Sequence, residues 1–281
     1  MTMLTCVGCG RLLPYTSFTA SEYTRGTGEA RCARCVQGQI PLVRASRRAD
    51  IGRYNPSASA TVSPSDTHNP FAQGTFRWVA KGNYTSGPRQ GEVCVVKWFK
   101  TGAVFSDEYF LLDIKAVDKT MDIVKSFNEL RIANLPIKVN IPDVWVYGSG
   151  PPGAIIDGRK VLVEPFIENY QKFNSNTGWN DSSGDWGKIM QALSHFSYHS
   201  TNGNYVLCDL QGGIHSHEVV LSDPVILSRN REYGVTDLGA EGIANFFSQH
   251  VCNRFCRPEW TKPTTMVCTF RPAPGTTMIR R

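Results

Sequence analysis

The spacing of hydrophobic residues changes character at Phe71. From there, "GTFRWVAKGNY" and "GEVCVVKWFK" are rich in β-branched and aromatic residues around a Gly/Pro-bearing connection. This pattern predicts a hairpin or two adjacent antiparallel strands. Phe110, Ile114, Val117, Met121, Val124 and Phe127 then recur at spacings of four and three, which predicts a long amphipathic helix. Ser106 is placed to cap it, with Asp107 and Glu108 set against the positive end of its dipole. "DVWVYG" reads as a short strand, and "AIIDGRKVLVEPFI" as a hairpin around Asp157-Gly158. A second helix carries Trp186, Ile189, Leu193 and Phe196 on one face; "NYVLCDL" reads as a buried strand and "GIANFFSQHVCNRFC" as a C-terminal helix. Strands, a helix, more strands and then a helical second half predict an α+β fold of two lobes.

Before Phe71 the pattern differs. Residues 37–69, with "RASRRADIGRYNPSASATVSPSDTHN", are rich in Ser, Pro, Ala and Arg without periodicity, and read as a flexible linker. Residues 1–36 carry Cys6-x-x-Cys9 and Cys32-x-x-Cys35. Each knuckle offers two thiolates and tetrahedral zinc takes four, so the segment reads as a four-cysteine zinc finger. It is too short to bury enough apolar surface without the metal.

Composition narrows the class. At 281 residues, 41% hydrophobic and 19% charged, the chain is globular: one large domain, or a core domain with an appendage. Its apolar runs, such as Val93–Val96, are too short to span a bilayer, and MTMLTCVGCG does not have the form of a secretory signal. Nine cysteines in such a chain point to a reducing compartment, cytoplasmic or nuclear, and to metal binding rather than disulfides. The net charge of +6 is concentrated: residues 1–60 hold eight arginines, no lysine and three acids. Such an arm suits nucleic acid or an acidic protein partner, or simply a solvated tail.

Two stretches carry chemistry. In "VLCDLQGGIHSHEVVLSDPVIL", residues 206–227, an apolar strand ends in Asp209, Gln211 and a glycine pair, and Asp223 follows. Oxygen-bearing side chains at such a strand end suit a hard cation. The last predicted helix ends in His250-x-Cys252-x-x-x-Cys256, with both thiols on one helical face. His195 is the best fourth ligand, with His199, His215 and His217 as rivals; a closed set of two His and two Cys is a structural zinc site.

"FAQGTFR", "VVKWF", "VEPFIENYQKFNSNTG", "SHFSY", "CDLQGG", "LSDPVI", "DLGAEGI" and "FFSQHVCNRFC" occur in the order seen in the alpha-kinases, and residues 71–256 resemble that family of atypical protein kinases. The resemblance implies a two-lobed kinase domain over 70–260, followed by a tail over 261–281. Separately, "FTASEYTRGTGEARCARCV" resembles a small zinc-binding domain of fungal proteins. Carried over, Lys97 resembles the lysine that neutralises nucleotide phosphate, and Gly74 through Arg77 the phosphate-binding loop. Glu164 falls where the hinge glutamate meets adenine, although Pro165 beside it departs from the common pattern, and Ile167 would line the base pocket. Asp209 looks like the catalytic carboxylate, and Gln211 and Asp223 like magnesium ligands. The resemblance thus implies an ATP- and Mg-dependent kinase that phosphorylates protein Ser/Thr, and the two ligand sets above lead us to expect two zinc ions. The alternative is a catalytically silent kinase fold that scaffolds nucleic acid or protein through its finger and arginine arm. Two departures stand out: a longer Asp209–Asp223 connection, expected to be a surface excursion at "IHSHEV", and Asp237 where asparagine is more usual, expected to alter substrate preference.

Overall fold

The alternation after Phe71 becomes two antiparallel strands, Arg77–Tyr84 and Val93–Phe99, in register from Arg77 against Phe99 to Asn83 against Val93. The computed structural model describes residues 2–7, 10–44, 59–102, 107–148, 158–181 and 183–279. The chain divides into two units, Met1–Asp107 with Pro142–Phe166, and Glu108–Ile141 with Ile167–Arg281.

In the first unit the strands run in the order Ser59–Val62, Ile40–Arg44, Asp143–Tyr147, Lys160–Pro165, Val93–Phe99, Arg77–Tyr84. Ser59–Val62 also pairs with Arg77–Tyr84, so six antiparallel strands close on themselves and leave no long free edge. Closure depends on Gly82, because a Cβ there would stand 2.7 Å from the backbone oxygen of Thr61 on the closing strand. Leu42, Val62, Ala80, Val96 and Val161 fill the interior with Tyr84, Trp145 and Tyr147.

This arrangement corrects the reading of 37–69 as a flexible linker. Ile40–Arg44 and Ser59–Val62 are barrel strands, and Pro64–His68 is a short helix capped by Ser63, whose hydroxyl accepts from the Asp66 N–H at 3.0 Å. The physical reason is that two short alternating runs flank a Ser/Arg-rich centre whose composition dominates the average. That centre, 45–58, lies outside the described residues, as does Ser106.

The N-terminal segment forms the hairpin Met3–Thr5 with Leu12–Pro14 over a small core of Leu4, Cys6, Phe18, Ala30 and Cys32. Its helix Ala33–Gln37 leads into strand Ile40–Arg44, so the finger is continuous with the barrel rather than tethered to it.

Among the described residues, the second unit holds three α-helices, Leu111–Glu129, Asp185–Ser200 and Gly239–Gln249. A four-stranded sheet runs Gln171–Lys172, Gln211–Ile214, Val219–Ser222, Ile137–Val139, and Tyr205–Cys208 pairs with Val225–Ser228. The first helix buries Val117, Val124 and Phe127 as the spacing predicts, but Ala116, Thr120 and Ile123 replace Ile114 and Met121 on the buried face. The last helix stops at Gln249, where His250 turns extended (ψ 120°), so Cys252 and Cys256 lie in the following turn rather than on a helical face. The tail is likewise packed: Asn245 Oδ1 accepts the N–H groups of Thr269 and Phe270, and Ile279 N–H donates to the Val235 carbonyl. Among the described residues, no helix is long and apolar enough to cross a membrane.

Candidate active site and metal-ligand clusters

Strand Tyr205–Cys208 delivers Asp209 to the interior of the second unit in a left-handed conformation, φ 59°. Positive φ in a non-glycine residue is uncommon and concentrates at functional sites. The carboxylate is 1% exposed. Lys172 Nζ stands 2.9 Å from Oδ1, and the Thr276 hydroxyl donates to Oδ2 at 2.5 Å. Burial pushes this carboxyl above its ordinary value, and Lys172 pulls it back. Asn174 Oδ1 accepts the Leu210 N–H at 2.8 Å while its amide donates to Ser194 Oγ at 2.9 Å, fixing the backbone beside Asp209.

The glycine pair is explained by crowding. A Cβ at Gly212 would lie 1.9 Å from the Val220 carbonyl oxygen, and one at Gly213 would lie 2.4 Å from that of Glu168 and 2.6 Å from Ile167 Cγ2. Only glycine lets the loop reaching back to Ile167 pack on this strand. The register sets Gln211 opposite both Lys172 and Ser222, and exposed Asp223 follows with φ 49°. Asp209, Gln211 and Asp223 therefore gather at one sheet end. The longer connection between the two aspartates is a β-hairpin, Gln211–Ile214 with Val219–Ser222, closed by His215 N–H on the Glu218 carbonyl. His215 and His217 sit at its turn and His199 faces Thr261, so none of these rivals joins the His/Cys cluster.

The partners of Asp237 lie in its own turn. It is buried and accepts from the N–H groups of Ser228, Tyr233 and Gly239 and from the Ser228 hydroxyl, so it is a structural staple for its own turn.

In the first unit, Lys97 is buried on the central barrel strand and forms an ion pair with Glu164 on the neighbouring strand. A buried cation needs such a partner, because an unpaired one carries a large desolvation cost. The structure thus gives Glu164 a task the sequence did not suggest. Arg77 lies with its guanidinium 4.7 Å from the centre of the Phe99 ring. Gly74 N–H donates to the Arg77 carbonyl at 2.9 Å, closing a tight turn, with open space where its Cβ would be.

Two clusters gather soft ligands. His195, His250, Cys252 and Cys256 place their ligand atoms within 4.8 Å of one another. Cys252 Sγ is 3.5 Å from His195 Nδ1 and 3.7 Å from His250 Nε2, and Cys256 Sγ is 3.7 Å from the latter. Tetrahedral bonds of about 2.0 Å to nitrogen and about 2.3 Å to sulfur separate such atoms by about 3.5 Å. His195 Nε2–H donates to the Thr261 carbonyl at 3.1 Å, which leaves the Nδ1 lone pair facing the cluster. Burial lowers both imidazoles, His250 to about 3, which favours the neutral form that a metal would require. In the N-terminal segment Cys6, Cys32 and Cys35 converge, and Cys32 N–H donates to Cys6 Sγ at 3.2 Å. Cys9 lies outside the described residues.

Sequence reasoning missed Lys172, Asn174, Asn176 and Thr276. The first three lie in or beside "QKFNSNTG", a polar run in which spacing alone separates no ligand from a turn residue.

The sequence profile of the Alpha-kinase family matches residues 72–256. Alpha-protein kinase 1 of Dictyostelium discoideum is 29% identical over 79% of this chain and 15% of its own length. Myosin heavy chain kinase C of the same organism is 31% identical over 66% of this chain and 22% of its own length, so the chain spans less than a quarter of either relative. A solved alpha kinase from Entamoeba histolytica superposes with a TM-score of 0.62 at 21% identity, covering 86% of this chain and 97% of that one. The alpha-kinase domain of myosin-II heavy chain kinase A, in complex with ATP, gives 0.59 at 21% identity over 78% of this chain and 95% of its own. These likenesses show the fold. Since the family's profile runs from the barrel strands to the last ligand of the His/Cys cluster, the chain belongs to the Alpha-kinase family.

Proposed function

We propose that this chain is an ATP- and magnesium-dependent protein kinase that transfers the γ-phosphoryl group to serine or threonine hydroxyls. The observation that carries this reading is Asp209: a buried carboxylate with a cation on one oxygen and a threonine hydroxyl on the other. A general base must lie within hydrogen-bond reach of the proton it takes, and Asp209 Oδ2 meets that requirement for an aliphatic alcohol. Burial raises the proton affinity of this carboxylate, and Lys172 offsets part of that rise by favouring the ionised form that a base must start from.

Gln211 and Asp223 are the magnesium ligands in this reading, and the fit rests on an oxygen-only donor pair at one sheet end. Magnesium held there would neutralise charge on the ATP phosphates. Lys97, fixed by Glu164, supplies positive charge for the phosphates, and Gly74 to Arg77 the backbone turn and cation of a phosphate loop. Glu164 and Ile167 are assigned to the adenine. ATP as donor is supported by solved relatives bound to ATP and AMP-PNP.

Two zinc ions complete the proposal. His195, His250, Cys252 and Cys256 form a closed structural site with no position left for water; Cys6, Cys32 and Cys35 with Cys9 form the finger, whose partner is a protein or nucleic acid. The chain is assigned to the cytoplasm or nucleus on its thiol-rich composition.

The test is radiolabelled ATP with the purified chain, magnesium and a generic basic protein. Transfer that requires magnesium supports the kinase. Its complete absence, with zinc present and ATP intact, overturns it in favour of the silent scaffold.

A further inference from the structure

The N-terminal hairpin leaves one strand edge open. Its cross-strand bonds run from Cys6 N–H to the Arg11 carbonyl at 2.9 Å and from Tyr15 N–H to the Thr2 carbonyl at 3.1 Å. Leu4 stands opposite Leu13 between them, so Thr2, Leu4 and Cys6 point their backbone groups inward. Met3 and Thr5 point theirs the other way, and these groups make no hydrogen bond among the described residues. The opening ends at Val7, whose N–H donates to the Ala30 carbonyl at 3.0 Å. The opposite edge is blunted by Pro14, which has no N–H to give. Leu4 and Leu13 turn into the small core, whereas Met3 and Leu12 are 45% and 61% exposed. The segment is anchored, because the Arg31 guanidinium donates to Asn83 Oδ1 on barrel strand Arg77–Tyr84.

Charge selects what this edge can take. Residues 1–39 hold four arginines, two glutamates and no lysine or aspartate. One of the glutamates, Glu22, is buried and occupied by Arg25 at 3.5 Å and by the Arg31 N–H at 2.8 Å. Arg11, next to Leu12, is exposed and has no ion pair among the described residues. A strand edge suits an extended chain, the apolar face suits apolar side chains at alternate positions, and the surplus positive charge suits acidic ones. A second copy of this chain would set like charge against like. Single-stranded nucleic acid needs open aromatic faces, whereas Tyr15 and Tyr23 meet each other edge-on at 6.1 Å and Met3 and Leu12 are aliphatic. We propose that Met3–Thr5 is a docking edge, to which an extended acidic segment of a partner protein adds as a third strand. This rests on the zinc-finger reading of Cys6, Cys9, Cys32 and Cys35, which fixes the chain just past Thr5.

The experiment titrates the isotope-labelled, zinc-loaded full chain with a short peptide of alternating valine and glutamate. Backbone amide NMR reads the binding, and elemental analysis reads zinc on the same sample. The Met3 and Thr5 amides should shift and gain protection from hydrogen exchange as the peptide saturates. Replacing every glutamate of the peptide by lysine should weaken binding at least ~10-fold. Leu12→Glu should weaken it by a similar factor while keeping the zinc, since Leu12 lies outside the core. A zinc-loaded chain whose Met3 and Thr5 amides ignore the peptide overturns the proposal and spares the finger. Equal binding of the lysine peptide overturns it too, and so does oligouridine moving these amides in the peptide's stead. Shifts that grow with protein concentration alone assign the edge to a second copy and overturn the acidic partner. A chain with no zinc in the finger and no peptide bound removes both readings together.

Discussion

The two soft-ligand clusters share a chemistry and differ in what surrounds them. His195, His250, Cys252 and Cys256 sit against Trp260, Phe246 and Phe247; the His195 ring meets Trp260 edge-on at 5.5 Å and Phe247 at 5.3 Å. They join the helix Asp185–Ser200 to the end of Gly239–Gln249, within the unit that carries Asp209. Among the described residues, the small core around Cys6, Cys32 and Cys35 consists of Leu4, Phe18 and Ala30 with partly buried Leu13. The first metal would reinforce a core that already exists, at the point where two elements must stay registered. The second would stand in for a core that the segment is too short to build. Ligand type alone does not distinguish these tasks; the apolar surroundings do.

The comparison predicts unequal consequences. Cys256→Ser should have the largest effect: one zinc lost, the second unit unfolded or molten, and phosphoryl transfer abolished. Structural zinc is worth about 10–16 kcal/mol in small peptides, as much as the net stability of a whole domain. Elemental analysis with near-ultraviolet circular dichroism checks this, and a folded, active Cys256→Ser protein would break it. Cys32→Ser should lose the other zinc, melt the finger and spare catalysis on a peptide. Because the finger continues into barrel strand Ile40–Arg44, a loss of about 1–3 kcal/mol in the first unit is expected. Equal inactivation by the two substitutions would show that the clusters form one functional unit.

The smallest effect is read by alkylation at pH 8. Exposed Cys268 should react freely, whereas Cys94 stays silent with or without chelator. Burial in the barrel pushes its thiol up to about 12, so at pH 8 only about one molecule in 10⁴ carries the thiolate. Cys252 is exposed and should nonetheless be protected until a chelator is added. If it labels as fast as Cys268 beforehand, no metal holds it.

The candidate strand end stands out in the sequence because its residues are local: Asp209, Gln211 and the glycine pair are nearly consecutive, and Asp223 follows one hairpin later. The His/Cys cluster was legible for a similar reason, with three ligands inside seven residues. What stayed hidden depends on contacts between distant segments. The strands Ile40–Arg44 and Ser59–Val62 bury Leu42 and Val62 only when the barrel closes, and their few alternating positions are lost in a Ser- and Arg-rich stretch. Thr276 reads as part of a proline- and glycine-rich tail until the fold sets it on Asp209. Asp237 is hidden for a different reason: the sequence marks it only as a departure expected to alter substrate preference, whereas its carboxylate accepts hydrogen bonds from its own turn.

The central claim is that Asp209 takes the proton of an acceptor hydroxyl, and its most direct measurement is phosphoryl transfer by Asp209→Ala beside ATP binding by the same protein. Removing a positioned general base typically costs about 10²–10⁴ in rate. The account predicts a loss of that size to an added protein substrate, with zinc content and ATP affinity close to those of the unmodified chain. Transfer at the full rate by Asp209→Ala would contradict it.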